Sequence, residues 1–305
     1  MKYTESGLAR HPLLEKAFEY SVSLATSGPR LTDATDRVRD NMQKWYDSTL
    51  AHYEETAFTR EDFDFNKRQL DAQLADYFAQ SEKLARDILE SDFELLHVLP
   101  AREVLYHAEN ATPQVLAAAL LFPAMQSDDD ITRLRAEFGD EIADIVHTLH
   151  HMNDDPDAAF YDAEELAAMA ADGPDPEIER DNLKDAPETA QTIYFARICV
   201  LLRHEADSAR AHMRQNPRDK PEMETPHTDR LHGLARVMHG INPEMDRRFR
   251  DAFNELASLA EAPVRLSVDR VGDLNMIKAE EPKMQQVKPK DKPKNDPPSI
   301  NVIDR

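Results

Sequence analysis

Cysteine, glycine and long apolar runs are all scarce in this chain, and each scarcity removes a class of protein. A single cysteine, Cys199, excludes an internal disulfide and a cysteine-based zinc site. Only 7 glycines in 305 residues leave little of the turn punctuation that many-stranded folds need. An all-α protein is therefore expected. Basic residues are also few: 37 against 59 acidic side chains give a net charge of -22, which repels nucleic acid and anionic membrane surfaces. A polyphosphate ligand then needs a metal ion or a local basic pocket. The longest apolar run, Val115 to Met125, is too short to cross a bilayer, and Met1 to Ser6 lacks the apolar core of a leader. These absences point to a soluble, cytoplasmic chain with neither a nucleic acid nor a membrane as partner.

What remains is helical periodicity. Leu13, Leu14, Ala17, Phe18, Val22 and Ala25 fall near helical spacing, with Gly28-Pro29 as a stop. Residues 31–92 read as a helical hairpin inserted in the body. Its first arm carries Val38, Met42, Trp45 and Thr49. Its second opens on a Thr59/Asp62 capping box and repeats Phe63, Leu70, Tyr77 and Leu84 every seven residues, with Leu74 and Ile88 between. Such a hairpin either lies on its own domain or serves as an arm for a homodimer or a protein partner. The run from Val115 is apolar all round and belongs in a core, and Pro123 should kink or end it while pushing Phe122 out of helical geometry.

Further along, Asp128 to Asp130 form a capping cluster before Ile131, Leu134 and Phe138. Residues 154–187 look like an acidic surface excursion with one weak helix over Asp162 to Ala171. Three more helices follow, over Thr189 to Arg214, around Leu231 to Met238, and from an Asn242-Pro243 cap to Leu256. A helical domain over 1–262 and a disordered tail over 263–305 complete the expectation.

Several stretches, in chain order, carry a family resemblance. They are Leu13 to Tyr20, His97 with Val104-Leu105, Ala118-Ala-Leu-Leu121 and Phe138-Gly-Asp-Glu-Ile-Ala-Asp-Ile-Val146. Together they resemble the RelA/SpoT-type hydrolase branch of the HD superfamily. Leu231 to Leu256, with Gly240-Ile-Asn-Pro243, is similar to the end of small stand-alone alarmone hydrolases. The resemblance implies an HD-domain-like helical bundle. Family members hydrolyse the 3'-pyrophosphate of (p)ppGpp with a metal, commonly manganese, held by a histidine, a His-Asp doublet and a later aspartate. Imidazole and carboxylate hold the ion, which activates water and polarises phosphate.

Here the resemblance aligns His97 with the first ligand, while Phe122 and Pro123 stand at the doublet and cannot coordinate a metal. Gln126 and Ser127 replace the acidic pair used for proton transfer. The late aspartate falls within Leu202 to Glu205, where Glu205 could serve in type. The resemblance thus implies the family fold without its reaction: a catalytically inactive HD-fold protein, needing no cofactor, that senses a guanine nucleotide or docks a partner.

Other residues keep alternatives open. Arg30 matches a basic residue that family members use near the nucleotide, and Arg203 with His204 could offer charge to an anion. Arg30 is more simply a solvated helix-end arginine, and Arg203 with His204 is equally a helix surface salt-bridged to nearby glutamates. His147, His150 and His151 share one side of a helix and could hold a transition metal or simply complement the helix end. A divergent Mn2+-dependent phosphohydrolase would have to draw relocated ligands from His97, His147, His150 and Glu205. A purely architectural helical protein is the third reading.

Overall fold

The computed structural model describes residues 8, 11–125, 127–152, 176–216, 225–239, 241–260, 264–268 and 274–278. The architecture follows from one helix, α5 (Pro113–Leu121), in which every residue from Val115 to Leu121 is buried. A helix with no solvent-facing side must be enclosed. Four helices enclose it: α1 (Pro12–Ala25), α4 (Leu99–His107), α7 (Asp140–His150) and α9 (Glu188–Gln215). Thr112 starts α5 by accepting the Val115 N–H at 3.3 Å. Between α5 and α7 lies α6 (Asp128–Phe138), which ends on Gly139 at a φ of 85°, a left-handed conformation that glycine adopts without strain.

A second group of helices closes the core. α11 (Pro243–Leu259) is capped by the Asn242 side chain on the Met245 N–H at 3.1 Å, as its sequence predicts, and packs along α9 with Phe249 stacked 4.8 Å from Phe195. α10 (Thr225–Met238) rests on α8 (Pro176–Asp185). The acidic excursion expected at 154–187 is therefore revised over its last part, since α8 is docked. Glu179, 1% exposed, takes two hydrogen bonds of 2.5 Å from Arg230 and one from the Tyr194 hydroxyl. A buried carboxylate is tolerable when it is paired and saturated with donors in this way. The helix expected over Asp162 to Ala171 lies outside the described residues.

The hairpin expected at 31–92 forms as α2 (Gly28–Thr56) and α3 (Arg60–Phe93), with the Thr59 cap in place. At 1.5 Å per residue its arms run for about 43 and 51 Å. Its seam carries Trp45 edge-on to Tyr77 at 5.6 Å, Arg39 on Ser81 at 3.0 Å and a small cluster of Ala34, Val38 and Ala85. Ile88, predicted for the seam, is instead 47% exposed. A straight helix drifts by about 20° per heptad, so Ser81 and Ala85 have rotated into the contact by that point. Near its end α3 meets the body at α1, then continues through a π-helical turn, Glu94–Val98, into α4 with helical dihedrals at Glu94 and Leu99.

The tail expected to be disordered from 263 is revised over 264–268 and 274–278, and the rest of it lies outside the described residues. Strands β1 (Val264–Val268) and β2 (Leu274–Lys278) pair antiparallel. Asn254 on α11 anchors β1 by accepting the Leu266 N–H at 2.8 Å and donating to its carbonyl at 2.9 Å, which places Leu266 in the core at 3% exposure. The docking of α8 gives a direct test. Glu179→Gln leaves Arg230 without its anion, and urea unfolding is expected to show a loss of about 3 kcal/mol. Glu177→Gln, on the exposed side of α8, should stay within about 0.5 kcal/mol of the parent. Equal effects would undo the docked description.

Candidate functional site

The candidate site grows from the end of α5. The helix stops at Leu121 and a single 3-10 turn, Phe122–Ala124, follows, as Pro123 predicts. Phe122 itself stays helical at φ -51° and ψ -48°, against expectation, and the chain leaves at Met125 with ψ 132°. The steric push of a proline on its predecessor is a bias. The burial of the Phe122 ring, 8% exposed, outweighs it.

The last carbonyls of a helix need donors from elsewhere, and inside a core water cannot supply them. Ser21 on α1 shares its hydroxyl proton between Ala17 O at 2.7 Å and Leu120 O at 2.9 Å, and His97 Nδ1 meets the Leu120 oxygen at 2.6 Å. Arg30, near the start of α2, donates to Ala124 O at 2.9 Å. Three elements are thus tied to one helix end.

A carbonyl only accepts, so the Nδ1 of His97 carries the proton, and a neutral ring then leaves Nε2 as a lone pair. Its neutrality follows from its surroundings. His97 is 3% exposed, sits in the π-helical turn and stacks 4.6 Å from Phe93. Burial pulls its pKa down to about 4; the hydrogen bond to Leu120 opposes this, and the charges of Arg30 and Arg197 add to it.

Arg197 is the residue that the sequence reading missed. It interrupts the apolar run from Ile193 to Leu202 on α9, and its guanidinium lies 5.0 Å over the Phe122 ring. Its Nε is buried without an acceptor, and it makes no ion pair among the described residues. Burial lowers its pKa, opposed only by Tyr194. A lone arginine in an apolar run was the available signal, because an isolated charge there needs a reason.

The predicted residues thus divide. His97, Phe122, Pro123 and Arg30 come together around the α5 end, while Gln126 lies outside the described residues. Ser127 is the N-cap of α6, accepting the Asp130 N–H at 3.3 Å. Glu205 is exposed on α9, and no set of three metal-type donors among the described residues includes it or His97.

Arg203 and His204 line a different place, an open cleft of about 310 Å³ with Arg102, His107 and Arg248. There Glu103 receives Arg203 at 3.0 Å and both nitrogens of the Arg248 fork. Burial alone would raise the Glu103 carboxyl, but Arg248 and Arg203 hold it below the usual carboxylate range. These two cations are therefore already paired, whereas Arg197 is not. The three histidines at the end of α7 do gather: the His147 and His150 rings stand 4.4 and 5.0 Å from that of His151, the residue that caps the helix, which bonds Asp128 at 2.9 Å.

No family model matches this chain, and neither a curated protein nor a solved structure matches it.

The buried histidine sets a pH dependence. Its folded pKa of about 4 lies below its ordinary value, so in acid the unfolded chain binds a proton that the folded chain excludes. Stability from this group is complete above about pH 6.5 and falls by about 3 kcal/mol as the pH drops through 4. His97→Asn keeps an N–H donor for Leu120 O and removes the titration. Urea unfolding between about pH 7.5 and 4.5 should then show a shallower acid loss than the parent. Identical slopes would mean that His97 is not held neutral.

Proposed function

We propose that this protein binds a phosphate-bearing ligand of the guanine-nucleotide class at the end of α5 and does not turn it over. The observation that carries this reading is Arg197: a desolvated guanidinium on Phe122, without a counter-ion among the described residues, beside Arg30 and a neutral histidine. Burying an unpaired ion costs several kcal/mol, and a phosphate oxygen would offset that cost while accepting from a fork made for such groups. No carboxylate among the described residues bears on His97.

The same arrangement argues against hydrolysis. A guanidinium supplies positive charge but offers no coordination position and does not acidify a bound water, which is the task of the metal in the family that the sequence resembles. A histidine held near pKa 4 is also a weak base at neutral pH. The reading is therefore of an HD-like centre in which an arginine on an aromatic ring stands in for the ion. A nucleotide held there would be sensed intact.

A second reading has one observation in its favour. Trp45, Phe58, Phe65, Tyr77, Phe78 and Ile88, all on the hairpin, are large apolar side chains left exposed, Phe58 to 98%. Such a concentration fits an arm for a protein partner or a second copy.

Calorimetry with the full chain, ppGpp and GTP, with chelator and then with manganese, separates the readings. Metal-free binding at one site is expected. Arg197→Met should weaken it about tenfold or more. The same change should leave thermal stability equal or higher, because it removes an unpaired buried cation. Binding that requires manganese, with release of pyrophosphate, would overturn the proposal. Absence of nucleotide binding, together with self-association of the full chain that Phe58→Ser abolishes, would replace it with the hairpin reading.

A further inference from the structure

We propose that Asp128, His150 and His151 form a binding site for one divalent transition-metal ion of the zinc class, independent of the nucleotide reading. The site sits where α6 begins and α7 ends. The turn at Gly139 folds these two helices against each other, so the first residue of one lies beside the last turn of the other. One ligand atom from each of the three side chains lies within 4.8 Å of the other two.

Around a tetrahedral zinc ion with bonds near 2.0 to 2.1 Å, neighbouring ligand atoms stand about 3.3 Å apart. The observed spread exceeds this by about an ångström and a half, within the reach of side-chain rotation at a partly exposed site. The 2.9 Å contact of His151 with Asp128 would by itself be an ordinary ion pair. It does not account for His150, whose ring nitrogen lies in the same sphere, nor for His147, whose ring packs 4.4 Å from His151 and orients it.

Donor chemistry selects the ion. Two imidazoles and one carboxylate suit zinc, nickel or copper, whereas calcium and magnesium want oxygen throughout. The field favours a cation as well. The C-terminal end of α7 carries partial negative charge, and the two arginines of α6 are engaged: Arg133 with Asp130, and Arg135 with Asp140 and Asp144. An ion there would pin the start of α6 to the end of α7. Because Ile142, Val146 and Leu149 of α7 reach the core, the clamp would be felt as added stability of the whole body.

The test uses the chelator-treated full chain and zinc chloride, read by calorimetry and by thermal unfolding, with calcium chloride in parallel. One zinc ion per chain and a melting temperature that rises with zinc are expected, with no calcium effect. His150→Ala and Asp128→Asn should each weaken zinc binding about tenfold or more, whereas His52→Ala, a change on the hairpin, should leave it unchanged. The cluster side chains are at the surface, so these variants should fold. No zinc binding, or zinc binding equal in parent, His150→Ala and Asp128→Asn, would overturn the proposal.

Discussion

The structure depends on how the end of a fully enclosed helix is satisfied. α5 has no solvent face, and Pro123 ends it inside the core. Its last carbonyls cannot turn to water, so donors must come from the surroundings. Ser21 brings α1, His97 brings the turn between α3 and α4, and Arg30 brings α2. The need of one backbone end therefore organises the elements that meet there. It also fixes the tautomer of His97 and, through burial, its charge.

Arg197 then becomes intelligible. The ring that buries the helix end, Phe122, is the surface on which the guanidinium rests. Cation and aromatic face attract, by about 2 kcal/mol or more when desolvated. That does not replace an anion, because the Nε still lacks an acceptor. Contrast the cleft nearby, where Glu103 answers Arg203 and Arg248 together, and the α8 contact, where Glu179 answers Arg230. In a chain of net charge -22, carboxylates are plentiful, so a half-buried arginine with none paired to it among the described residues is a feature to be explained. An anionic ligand is the explanation we propose.

Much of the helical frame was legible from local signals. The caps at Thr59 and Asn242 and the break at Pro123 act within one turn of themselves, so their neighbours in the chain reveal them. What escaped depends on distant partners. Nothing near Glu179 announces Arg230 or Tyr194, and nothing near Leu266 announces the Asn254 amide that holds a short strand on a helix. The spacing of His147, His150 and His151 was legible, but Asp128, which lies within reach of the last two, is brought by the fold. Arg30 and Arg203 shared one expected role and occupy separate places, because one reaches the turn that follows α5 and the other reaches Glu103 on α4.

The central claim is that the Arg197 side chain is the receptor for a phosphate group that remains intact. It is tested most directly by following the side-chain Nε–H resonance of Arg197 by nuclear magnetic resonance while ppGpp is added in the presence of a metal chelator. This resonance is expected to move to a new position with saturation, while the nucleotide in the same tube stays whole. A resonance that stays where it was, or nucleotide that is consumed, would contradict it.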